Sequence, residues 1–214
     1  MIPESVAEAI CAAGRRLDHL GLVPATAGNF SMRLDAAHCV VTISGRHKGF
    51  LTADDVMVVD LDGRAVTPGK RSSAETLLHC GIYRRFAEAG AVLHGHSIAN
   101  TVLSRAARGG VTLSGYELLK AFPGLPTHDA AITIPVVPND QDIPRMQRGL
   151  DLLWDGMADQ AEGAQPGSAG VPPPGYLIRG HGSYVWAADM PGALMRLEAL
   201  EFMLACEMRE RTMR

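Results

Sequence analysis

Two histidines separated by one residue, His94-Gly95-His96, carry the clearest chemical potential in this 214-residue chain. They close the short apolar run Ala91-Val92-Leu93, which reads as a buried strand. On a strand, residues i and i+2 point to the same face, so both imidazoles can converge on one ion. Gly95 leaves the opposite side open. A catalytic zinc site takes about three protein ligands and keeps one open position. His181, between Gly180 and Gly182 at a strand-to-strand junction, is the natural third. The plainer alternative makes each histidine an isolated polar residue in a turn, and spacing alone does not tie His181 to the pair. His19, His38, His47, His79 and His128 show no paired spacing and read as structural or surface residues.

Acid and base candidates are Glu75, after Ser72-Ser73-Ala74 at a helix start, and Glu117, opening the mostly apolar run Tyr116 to Phe122. Taken alone, each reads as a first-turn acid favouring a helix dipole, worth about 0.3–1 kcal/mol. Three small-residue loops could gather N–H groups and cations around a phosphate. They are Gly28-Asn29-Phe30-Ser31, the stretch from Ser44-Gly45 through Lys48-Gly49, and Lys70-Arg71-Ser72-Ser73. Gly63 to Lys70 has the wrong spacing for a Walker A loop, and no GxGxxG follows a strand.

The elements that must position these residues alternate along the chain. The spacing of Val6, Ile10, Ala13, Leu17 and Leu20 predicts a first helix that stops at Gly21. Strands are expected over 29–34, 39–44 and 56–60, with Asp62-Gly63 as a turn. Ser72 or Ser73 is expected to cap a helix through Leu77, Leu78, Ile82 and Phe86. After the His94 strand, Ser97 opens another helix. A short helix over 116–122, a strand over 131–137 and a helix over 143–157 follow. The Gly/Pro/Ala/Ser-rich stretch 161–175 reads as a loop. Strands at 176–179 and 183–187 precede a last helix from Asp189, with Leu194, Leu197, Leu200, Leu204 and Met208 on its apolar face. The pattern is α/β over a single domain spanning 1–214.

Composition narrows the function. Lys and Arg number 20 against 23 Asp and Glu, a net charge of −3, which excludes a general basic field for nucleic acid. Aromatic residues at 5% weaken any base-stacking proposal. No apolar run approaches the roughly 18–20 residues of a membrane helix. The first residues, Met-Ile-Pro-Glu-Ser, lack a basic stretch followed by an apolar one, so no secretory leader is expected. Cys11, Cys39, Cys80 and Cys206 form no CxxC pair and read as reduced thiols in a cytoplasm.

In chain order, Gly28-Asn29-Phe30-Ser31, Ser44-Gly45 with Lys48-Gly49, Ser72-Ser73-Ala74-Glu75, His94-Gly95-His96-Ser97 and Gly180-His181-Gly182 resemble the class II aldolase/adducin-like family. The finer runs Gly115-Tyr116-Glu117-Leu118-Leu119-Lys120, Pro138-Asn139-Asp140-Gln141-Asp142 and Tyr176 through Trp186 resemble its methylthioribulose-1-phosphate dehydratase branch. The resemblance implies a three-layer α/β/α domain with a mixed, largely antiparallel sheet. It implies one Zn2+ per subunit on His94, His96 and His181, and catalysis by Glu117 as principal acid/base with Glu75 in support. It also implies phosphate binding by Asn29, Ser44, Gly45, Lys48, Ser72 and Ser73. The expected substrate is a phosphorylated ketose, dehydrated in methionine salvage by a cytoplasmic homotetramer. The rival readings are a sugar-phosphate aldolase at the same metal and a non-catalytic, adducin-head-like binding domain.

Overall fold

The computed structural model describes residues 2–162, 173 and 175–213. Among the described residues, five α-helices pack on eight strands: α1 (Glu4–His19), α2 (Thr76–Arg85), α3 (Ile98–Ala106), α4 (Ile143–Glu162) and α5 (Met190–Met213). The strands are β1 (Asn29–Arg33), β2 (His38–Thr42), β3 (Val56–Asp60), β4 (Ala91–Gly95), β5 (Gly110–Ser114), β6 (Ala131–Val137), β7 (Gly175–Ile178) and β8 (Ser183–Ala187). They form one sheet in the order β3-β2-β1-β4-β8-β7-β6-β5. Only β6 and β7 pair in parallel; every other neighbouring pair is antiparallel. The mixed, largely antiparallel α/β sheet is the expected one.

The period-2 alternation of β4 builds two cores. Ala91 and Leu93 face α1, α3 and α5, where they meet Ile10, Leu17, Leu103, Leu197 and Leu200. Val92 faces α2 and α4 with Leu78, Tyr83, Leu150, Trp154 and Trp186. The result is the expected three layers, with His94 on the α2 and α4 side by the same alternation.

Most elements fall within a residue or two of their sequence positions, with four departures. Strand β5 goes unforeseen, although its Val111 and Leu113 are buried while Thr112 and Ser114 are exposed, the period-2 pattern of an edge strand. The run after Tyr116 is a one-turn 3-10 helix, Glu117–Ala121, that buries only Leu119. Neither serine is the N-cap of α2: Glu75 holds that position, and Ser73 Oγ accepts from the Glu75 N–H at 3.3 Å. Helix α4 continues to Glu162, so residues 161–162 of the expected 161–175 loop are helical and Gly175 begins β7. The rest of that loop, apart from residue 173, lies outside the described residues.

Candidate metal centre and active site

Strand β4 ends at the sheet's centre, and its last register brings the histidines together. His94 pairs with Tyr184 and Gly95 with Ser183 on β8. His96 follows the strand, its N–H held by the Leu22 carbonyl at 2.7 Å. His181 sits in the tight turn from β7 to β8, where its N–H reaches the Ile178 carbonyl at 3.0 Å. The glycine after it is required. A Cβ at Gly182 would lie 2.4 Å from the Gly95 carbonyl oxygen and 2.6 Å from the His94 ring, so only glycine lets this turn close on β4. Gly95 does not face open space: a Cβ there would meet Leu197 at 3.3 Å and the Leu22 carbonyl at 3.4 Å.

The three rings form a cluster, with centroids 4.5 Å apart for His94–His96, 5.1 Å for His94–His181 and 4.8 Å for His96–His181. One ligand nitrogen from each lies within 4.8 Å of the others. His94 Nδ1 donates to the Ser183 carbonyl at 2.9 Å. A carbonyl can only accept, so the proton is on Nδ1 and Nε2 keeps its lone pair. That Nε2 is buried and has no protein hydrogen-bond partner, and neither has Nδ1 of His181. Burial, and then the neighbouring histidines, hold the His94 pKa well below its usual value. Burial, then His181 and Lys48, bring His96 down to about 4. His94 and His96 held neutral, with the buried Nε2 lone pair of His94 left without a protein donor, suit a metal ion.

Glu75 completes the cluster from the start of α2. Its Oε1 lies 3.3 Å from His181 Nε2 and its Oε2 3.5 Å from His94 Nε2. Asn29 Nδ2 donates to Oε2 at 2.8 Å, and the Tyr184 hydroxyl donates to the same oxygen at 3.4 Å. Tyr184 also stacks on His94, with centroids 4.1 Å apart, and Tyr176 stacks on Tyr184 at 4.9 Å. On the far side, Glu201 is buried and accepts from Ser97 Oγ, Asn100 Nδ2 and Ser183 Oγ at 2.5–2.7 Å. It thereby fixes the strand whose carbonyl orients His94.

A cavity of about 360 Å³ opens in front of this cluster. Asn29, Ser44, Gly45, Lys48, Ser73, Glu75, His96 and His181 all border it, which gathers most of the residues expected from the sequence. Lys48 is 2% exposed; its Nζ donates to the Thr26 carbonyl at 2.9 Å and the Arg46 carbonyl at 2.7 Å. No carboxylate pairs with Nζ among its described contacts, and burial brings its pKa down to about 8. A buried cation beside a cavity suits an anionic ligand.

Two expected site residues stand elsewhere. Ser72 does not border the cavity: its backbone bridges Ile43, and alternation along this extended stretch leaves Ser73 as the serine that faces in. Glu117 is on the surface, its side chain 68% exposed, paired with Lys120 and 3.9 Å from His128. The Lys120 hydrogen bond and charge hold its carboxyl below the usual range. Within one protomer it does not reach the histidines, because the turn that carries it buries only Leu119 and faces outward.

Sequence reasoning missed His79, Tyr184 and Glu201. His79 had a usable signal, since it lies one helical turn beyond Glu75 on the same face. Tyr184 and Glu201 had none beyond belonging to apolar elements.

The family described as Class II Aldolase and Adducin N-terminal domain matches residues 8–208. A methylthioribulose-1-phosphate dehydratase of Gluconacetobacter diazotrophicus is 53% identical, over 94% of this chain and 92% of its own length. One of Granulibacter bethesdensis is 50% identical, over 99% and 95%. The solved L-fuculose-1-phosphate aldolase of Thermus thermophilus superposes with a TM-score of 0.72 at 22% identity, covering 97% of this chain and 96% of that one; this likeness bears on fold alone. The chain thus belongs to the class II aldolase and adducin N-terminal domain family.

Proposed function

We propose that the chain is a hydro-lyase that dehydrates 5-methylthioribulose 1-phosphate to 2,3-diketo-5-methylthiopentyl 1-phosphate in methionine salvage. The observation that carries this reading is the name shared by relatives about half identical over nearly the whole chain, together with an intact histidine–carboxylate cluster. That cluster also counts against a non-catalytic binding domain. His94, His96 and His181 would hold one Zn2+ per subunit, which when bound supplies Lewis-acid polarisation of the C2 carbonyl.

The chain's own residues do the rest. The phosphate sits among Ser44, Gly45 and Ser73, with Lys48 offsetting its charge. Glu75, whose carboxylate lies against His94 and His181 and borders the cavity, takes the C3 proton. The C4 hydroxyl leaves as water with a proton from an acid, and the enol tautomerises to the diketone. Glu117 acts here only as the residue of a neighbouring copy, since its own protomer holds it at the surface. The working enzyme is therefore a homo-oligomer, which we take to be a tetramer in the cytoplasm. Incubation with methylthioribulose 1-phosphate tests the reading: diketone that disappears with a chelator supports it. Release of dihydroxyacetone phosphate from fuculose- or ribulose-type phosphates points instead to an aldolase.

A further inference from the structure

Glu75 is the end of a hydrogen-bond chain that begins inside the α2 core. His79 is fully buried, with Nδ1 2.7 Å from Ser31 Oγ and Nε2 in contact with Asn29 Oδ1. Ser31 Oγ also meets the hydroxyl of buried Tyr83 at 2.8 Å. Asn29 gives its Nδ2 to Glu75. We infer that His79 is a positioning residue for the Glu75 carboxylate, acting through the amide of Asn29.

The donor and acceptor inventory leaves one arrangement. Asn29 presents Nδ2 to Glu75, so its Oδ1, which can only accept, faces His79. Burial lowers the His79 pKa to about 3 and keeps the ring neutral, so its single proton is on Nε2 and Nδ1 carries the lone pair. Ser31 must donate to that lone pair, and Tyr83 must donate to Ser31. Every donor from Tyr83 onward points toward Glu75. Without the His79 donor, the Asn29 amide could turn over and set Oδ1 against the carboxylate. With it, Oε2 receives both Asn29 and Tyr184, and Oε1 is left as the working oxygen beside His181. His79 itself does not border the cavity, so it acts on substrate only through its neighbours.

The inference rests on the reading that Glu75 works on substrate. Ring 15N shifts of the metal-free wild-type protein should show the Nε2–H tautomer for His79; the Nδ1–H tautomer or a doubly protonated ring would overturn the arrangement. His79→Phe should lower kcat by about 10- to 100-fold, the usual scale for losing such an outer partner, with KM and zinc content unchanged. His79→Gln, which can still accept from Ser31 and donate to Asn29, should recover most of that loss. In an Asn29→Ala background, His79→Phe should cost nothing more, whereas additive losses, or loss of zinc in step with activity, would overturn the inference. Wild-type turnover by Glu75→Gln would instead remove the role of Glu75 and leave the His79 tautomer standing.

Discussion

Glu75 Oε1 faces His181 Nε2 at 3.3 Å, joining the N-cap of α2 to the turn between β7 and β8. The contact sets a carboxylate against a trio of histidines at the sheet's centre, above a cavity bordered by the phosphate-type loops. The proposed base, ligand set and anion site thus share one mouth.

Removing the base tests the first consequence. Glu75→Gln should lower kcat by about 10²–10⁴-fold, the span of general acid–base contributions. Steady-state kinetics with the phosphorylated ketose measure it, and unchanged kcat would take Glu75 out of the reaction.

The histidine trio makes a prediction that needs no turnover. Zinc at about 100 times its Kd should stabilise the metal-free wild-type protein by roughly 2.7 kcal/mol. His94→Ala and His96→Ala should lose that gain in thermal melts and lose bound zinc in elemental analysis. The pH dependence has a definite sign. Neutral imidazole is the ligand form, and His96 has its pKa lowered to about 4. Protons therefore compete at this ring only as pH falls toward that value, so its zinc affinity should hold at pH 6 and decline below about 4. Metal content after dialysis across that range checks it.

Lys48 is a buried cation with its pKa near 8. As pH rises through that value the ammonium loses its charge, so KM for the phosphorylated substrate should climb above about pH 8. Lys48→Met should raise KM about 10- to 100-fold at neutral pH, matching a charged contact of about 1.5–3 kcal/mol. It should also flatten the alkaline rise. A KM profile that Lys48→Met leaves unchanged would take the lysine out of phosphate binding.

Glu117 and Glu75 lie apart in one protomer, so subunit mixing separates their roles. Glu117→Gln and Glu75→Gln proteins should each be weakly active, and co-refolding them should restore activity through hybrid sites. Absence of any gain in hybrids shown by mass spectrometry to have formed would remove Glu117 from the site.

What could be read in advance follows from which forces are local. The His94-x-His96 pair was legible because strand geometry alone puts both rings on one face. His181 stood out by its flanking glycines but was tied to the pair only by the family resemblance, and Gly182 proves to be the position where backbone meets backbone. Ser72, which the resemblance places in phosphate binding, lies outside the cavity lining; a Ser-Ser pair does not disclose which hydroxyl faces inward until the Ile43 bridge is known. Glu75, alone in its sequence, looks like an ordinary first-turn acid; only the fold brings Asn29 and Tyr184 to its Oε2. Glu201 was hidden for the same reason, and the i, i+4 spacing of His79 from Glu75 does not disclose its partners on β1. The outward position of Glu117 was hidden because a motif gives order along the chain and not the direction a turn faces.

The reaction proposed for this cluster is the removal of water from a phosphorylated methylthioketose. The most direct measurement is incubation of the purified protein with methylthioribulose 1-phosphate, following diketone formation with and without a chelator. The account predicts diketone from the zinc-loaded protein, none after chelation and recovery on adding zinc. Diketone formation that is indifferent to the chelator, or no diketone from zinc-loaded protein, would contradict it.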